Sequence, residues 1–163
     1  MIRMKKAVVF LAAMALISVA EAKPAFTSQN FSGVYACKGN NELVGDYEMT
    51  ATLKLKRISS YGRFGTYDYS TETENSVTYL GQAVADGNRM ALTFKVTEGR
   101  SADFSTGVAE VVKNPQGRWS FHNYYYEADD TGGNYGSEYC VLKTAPVQPG
   151  KKKLVTPKPP AAS

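Results

Sequence analysis

Tyr47-Glu48-Met49-Thr50-Ala51-Thr52-Leu53-Lys54-Leu55-Lys56 alternates without a break between apolar and polar residues. A period of two places Tyr47, Met49, Ala51, Leu53 and Leu55 on one face and leaves the other face wet, the pattern of a half-buried strand. The same pattern returns at 89–97, where Met90, Leu92, Phe94 and Val96 alternate with Arg89, Ala91, Thr93, Lys95 and Thr97. Asp86-Gly87-Asn88 stands just before it and reads as a hairpin turn, since Gly and Asn tolerate positive φ. Asn114-Pro115-Gln116-Gly117 reads as a second turn, with Pro pre-set for its first central position. Gly132-Gly133-Asn134 makes a third, longer connection.

These turns divide the middle of the chain into eight segments, 31–38, 45–57, 63–71, 76–85, 89–98, 105–113, 118–126 and 135–143. Helix signals are nearly absent. The connections are short, so consecutive strands should pair antiparallel. Cys37 lies near the start of this region and Cys140 near its end, and they are the only cysteines. In an exported chain such a pair implies one disulfide, here closing a loop of 103 residues, for which chain entropy gives about 4–5 kcal/mol. The bridge brings the first and last strands within roughly 7 Å, Cα to Cα. The expected fold is therefore all-β: a single eight-stranded antiparallel up-and-down barrel, clamped between first and last strands, with a two-sheet β-sandwich as the alternative.

The two ends differ from this middle. Arg3, Lys5 and Lys6 precede an uncharged apolar run, 7–20, and Ala20-Glu21-Ala22 places small residues at −3 and −1 for cleavage before Lys23. Residues 1–22 read as a secretory signal peptide, too short in its apolar run for a spanning helix, and imply a periplasmic or secreted protein. Residues 146–163 hold five Pro and four Lys with no acid, the composition of a disordered tail. The domain between, 23–145, is large enough for one core. Of 19 bases and 15 acids, the signal takes three bases and one acid and the tail four bases. The domain keeps 12 bases against 14 acids, a formal charge of −2, so the basic pI belongs to the appendages and no nucleic-acid partner is expected.

Phe31-Ser32-Gly33-Val34-Tyr35 opens the first segment with a Gly-x-aromatic pattern. It resembles the Gly-x-Trp start of lipocalin-like (calycin-type) barrels, with Tyr where that family has Trp. The resemblance implies a glycine that allows close backbone approach and an aromatic, here Tyr35, plugging the barrel floor. Gly33-Val34-Tyr35-Ala36-Cys37-Lys38-Gly39 is also similar to the Gly-x-Tyr-x-Cys-x-Gly opening of small exported bacterial proteins.

Chemistry-bearing residues are sparse. His122 is the only histidine, in Trp119-Ser120-Phe121-His122-Asn123-Tyr124-Tyr125-Tyr126. Alternation assigns Trp119, Phe121, Asn123 and Tyr125 to one face, and Ser120, His122, Tyr124 and Tyr126 to the other. Ser120 and Glu138 are the nearest candidates for a nucleophile and an orienting carboxylate, but no nucleophile motif marks them, and no catalytic residue is expected. Glu127, Asp129 and Asp130 match no calcium-loop spacing and read as a solvated loop, so neither metal nor cofactor is expected.

The chain holds 11 tyrosines, with Tyr67, Tyr69, Tyr79, Tyr124, Tyr125, Tyr126, Tyr135 and Tyr139 on segments expected to be neighbours. Tyrosine joins an apolar body to a polar tip and suits a small-molecule pocket or a protein-binding surface; aromatics also form good cross-strand pairs. Tyr35, Tyr67, Tyr69, Trp119, Phe121, His122, Tyr124 and Tyr126 are the candidate ligand or partner contacts. The reading they favour is an exported, monomeric, non-catalytic binding protein holding a small apolar or amphipathic ligand in a barrel, with no stable membrane insertion. The alternative is a protein-interaction module, such as an enzyme inhibitor or immunity protein, with a filled core and an exposed Tyr-rich patch around Tyr124 to Tyr135.

Overall fold

The computed structural model describes residues 23–73, 78–97, 104–128 and 132–144; the expected signal peptide and tail lie outside them, as do Asp129 and Asp130. Eight strands follow one another: β1 (Gly33–Asn41), β2 (Gly45–Leu55), β3 (Phe64–Thr73), β4 (Thr78–Asp86), β5 (Arg89–Val96), β6 (Ser105–Lys113), β7 (Trp119–Glu127) and β8 (Asn134–Thr144). Each pairs antiparallel with the next, and β8 returns to β1, so the sheet is a closed up-and-down barrel and not the alternative sandwich. Closure removes the open edges that a two-sheet sandwich would have to protect.

The seam is where the two cysteines act. Cys37 and Cys140 are directly opposed in the β1–β8 register, 4.0 Å apart at Cα, and form a disulfide. Such a bond persists in proteins of oxidising compartments.

Alternation carries through the barrel wall. In β2, Met49, Ala51 and Leu53 are buried, and in β5, Met90, Leu92 and Phe94 are buried, while the residues between them in β5 face water. Turn chemistry matches the sequence: Gly87 and Gly117 adopt φ of 64° and 73°. Asn114 holds its hairpin twice over, its carbonyl oxygen accepting from the Gly117 N–H at 2.8 Å and its side-chain oxygen from the Gln116 and Arg118 N–H groups.

One end of the barrel is closed. A segment ahead of β1 crosses it, bridging Phe26 to Gly62 in the β2–β3 connection and burying Phe31. Phe31 sits edge-on to Trp119 at 5.2 Å, and the Tyr67 hydroxyl accepts the Phe31 N–H. Tyr35 lies just inside, its hydroxyl donating to the Phe31 carbonyl at 2.7 Å. The first strand therefore begins at Gly33, two residues later than alternation suggests, because Phe31 turns inward as part of the floor. At its other end β1 runs on to Asn41, past Gly39, where the sequence reading stops at 38.

Candidate functional site

Above the floor the barrel is full. Tyr35, Tyr67, Tyr69 and Phe121 are all buried at 1% exposure or less, and Tyr35 and Phe121 meet edge to face at 5.1 Å. Trp119 is half-buried on the floor. An eight-stranded barrel has an interior about as wide as the side chains that fill it, and these rings use that width. Five of the eight candidate contacts thus belong to the core. The other three, His122, Tyr124 and Tyr126, lie exposed on the outer wall.

The opposite end, the mouth, is built differently. Inward positions there carry polar groups: Asn41 on β1, Tyr47 on β2, Asn123, Tyr125 and Glu127 on β7, and Asn134 and Glu138 on β8. Glu138 is the centre of the group and only 3% exposed. Tyr47 donates to its Oε1 at 2.9 Å and Asn123 Nδ2 to its Oε2 at 2.9 Å. Since Tyr47 spends its one proton on Glu138, the Tyr47–Tyr125 contact of 3.1 Å has Tyr125 as donor. Asn41 Nδ2 in turn donates to the Tyr125 hydroxyl at 3.0 Å and to Asn134 Oδ1 at 2.6 Å. Asn41 Oδ1 accepts the N–H groups of Leu43 and Val44, so the β1–β2 turn anchors the chain of bonds. The bonds from Asn41 to Tyr125, Tyr125 to Tyr47 and Tyr47 to Glu138 run in one direction.

Glycines make the relay reachable. Gly39 pairs with Tyr47 on one side and Glu138 on the other, and a Cβ there would collide with the Tyr47 ring. Its bare backbone lets Tyr47 lean across β1 to a residue two strands away. Gly136 stands in the same way between Tyr125 and Asn41, and Gly81 between Tyr69 and Phe94, whose rings meet at 5.7 Å. Glycine inside a strand commonly marks such a close approach.

Burial pushes the Glu138 carboxyl above the ordinary range and Glu127 adds to the rise, while the bonds from Asn123 and Tyr47 oppose it. Burial, with Glu138 next, likewise raises Tyr47 and Tyr69. Two polar atoms in this interior have no hydrogen-bond partner among the described residues, the Tyr69 hydroxyl and Asn123 Oδ1. Buried polar groups are seldom left so.

An open basin of about 1040 Å³ lies at the mouth. Met49, Thr71, Tyr79, Phe94 and Tyr125 line it from inside, together with Glu138. Lys38, Glu48, His122 and Tyr139 also border it from the outer wall, so it spills over the rim and is no enclosed chamber.

The residues weighed for acid–base catalysis do not converge. Glu138 faces the interior, whereas His122 faces out and packs on Tyr124 at 4.3 Å. The Ser120 hydroxyl bonds the Val112 carbonyl. Alternation foresaw the faces of β7 from Phe121 to Tyr126, whereas Ser120, assigned with His122, is buried. Sequence reasoning named Glu138 only as an orienting carboxylate and did not single out Tyr47, Asn41 or the glycines; Gly39, Gly81, Gly107 and Gly136, all within strands, were the available signal. Comparison of the chain with protein-family models, curated proteins and solved structures gives no match.

Proposed function

We propose that the chain is an exported, non-catalytic binding protein of lipocalin-like type that holds a small amphipathic ligand at the mouth of its barrel. The observation that carries this reading is the basin at the mouth, where the buried Glu138 with its hydrogen-bond relay stands beside an apolar wall. A polar group of a ligand would meet Glu138, while its apolar part rests on Met49, Tyr79 and Phe94. Since the lower barrel is filled, the ligand is small and shallow-seated. Native mass spectrometry of the disulfide-bonded protein, purified from its own periplasm or medium, tests the reading. An added mass of small-molecule size, lost on denaturation, is the expected result. A bare mass there, with no binding by a panel of small amphipathic compounds, would sink it. The same spectrum shows whether the chain begins at Lys23, as signal cleavage requires, and whether it is monomeric.

A second reading has its own observation. Tyr124, Tyr126, Tyr135 and Tyr139 are 46–60% exposed on the outer face of β7 and β8, with Val108 opposite Tyr124 in the neighbouring register. Exposed tyrosines on a rigid sheet suit an interface with an exported protein, as in an enzyme inhibitor or immunity protein. Replacing Tyr124 and Tyr135 by Ser would abolish co-elution with such a partner and leave small-molecule binding intact.

A further inference from the structure

We infer that the ligand carries a protonated amine, bound by Glu138 inside a ring of aromatic side chains at the mouth; this rests on the small-ligand reading above. The protons of Tyr47 and Tyr125, and both bonds given by Asn41, are already committed within the relay. At the basin Glu138 keeps the lone pairs beyond the two that receive Tyr47 and Asn123. A group that satisfies them must donate hydrogen bonds, and an ammonium donates three.

The inward lining of the mouth carries two carboxylates, Glu138 and Glu127, and among the described residues no Lys or Arg. Glu127 is held at the rim, its Oε1 accepting from Ser105 Oγ at 2.8 Å. Lys38, the nearest base in the basin, faces outward and is paired with Glu48 at 2.9 Å. An incoming cation therefore meets unneutralised negative charge that deepens toward Glu138.

Phe94 is flanked by Tyr79 at 6.0 Å and Tyr125 at 5.8 Å, both edge to face, and by Tyr69 at 5.7 Å. Ring faces attract ammonium groups and shelter the alkyl chain that follows. They supply none of the oxygen ligands a Ca²⁺ ion needs, so the arrangement favours an organic cation.

The test uses isothermal titration of the disulfide-bonded protein at pH 7.5 with three probes of one size: n-butylammonium, butan-1-ol and butyrate. Expected is binding of n-butylammonium at least about ten-fold tighter than butan-1-ol, with butyrate excluded, the size of effect one charge-assisted hydrogen bond supplies. E138Q removes that preference; its side chain still accepts from Tyr47, and Asn123 can turn its amide to match, so the barrel keeps its fold. Independently of any variant, the Glu138 carboxyl ¹³C resonance should shift on n-butylammonium addition. Equal binding of n-butylammonium and butan-1-ol, unchanged by E138Q, would overturn the ammonium and leave a small neutral ligand standing. Binding of none of the three, together with a bare native mass, would overturn both readings.

Discussion

Glu138 shows how one buried carboxyl sets a pH response. Its pKa is raised in the fold, so the native state holds a proton that the unfolded chain has released over the interval from about 4.5 upward to the folded value. Stability therefore increases as pH falls through that interval and levels off below it. Tyr47, Tyr69, Asn123, Tyr125 and Glu127 are the groups that face or electrostatically influence the carboxyl. Asp86 and Glu48 are lowered instead, by hydrogen bonds from Arg63 and Lys38 respectively; their contribution is lost only at more acid pH, so the two effects separate. Thermal melts from pH 7.5 to 4.5 should show a rising Tm that E138Q flattens. A falling Tm over that range would contradict the burial of an ionisable carboxyl.

Glycine positions divide into two kinds at the same scale. At Gly81 a Cβ would press on the Thr93 carbonyl and on Phe94 Cα, backbone that cannot step aside. Gly81→Ala should cost about 1–3 kcal/mol or more by denaturant unfolding, the usual range for overpacking. Gly117, with φ of 73° and open space around it, pays only the conformational strain of a turn, about 1 kcal/mol for Ala.

At the scale of elements, the β1–β8 seam is the only non-sequential pairing in the barrel. Its eight register pairs, from Val34 with Thr144 to Asn41 with Gly136, hold the strands together besides the disulfide. Replacing Cys37 and Cys140 by Ala should lower stability by up to about 4–5 kcal/mol, since the 103-residue loop is then free in the unfolded chain. The closed topology should survive that change. Hydrogen exchange would show it as faster exchange concentrated in β1 and β8, with β3 to β6 shifted only by the global loss.

The molecule as a whole has a packed end and an open one. At the closed end Phe31 and Trp119 form the floor, with Tyr35, Tyr67 and Phe121 packed above them. Phe31→Ala removes a ring 1% exposed and with it the edge contact to Trp119, so a loss of about 3–5 kcal/mol is expected in chemical denaturation. Ligand binding at the mouth should be unchanged in the folded fraction, because Phe31 and Trp119 do not line the basin. A parallel loss of affinity would mean that the two ends are coupled.

The alternating runs at 47–56 and 89–97, the turn residues at Gly87 and Gly117, and the paired cysteines were enough to derive eight strands and their order. Those features act over a few residues, or through one covalent constraint, and so are legible in a linear chain. Alternation also sorted the faces of β7, placing Phe121 apart from His122. It could not distinguish a ring that fills the interior from one that lines a space, because that depends on what the opposite strands bring to the same height. Closure alone brought Glu138, Tyr47, Asn41 and Tyr125 from four strands to one point, across glycines whose missing side chains have meaning only when a neighbour leans over them.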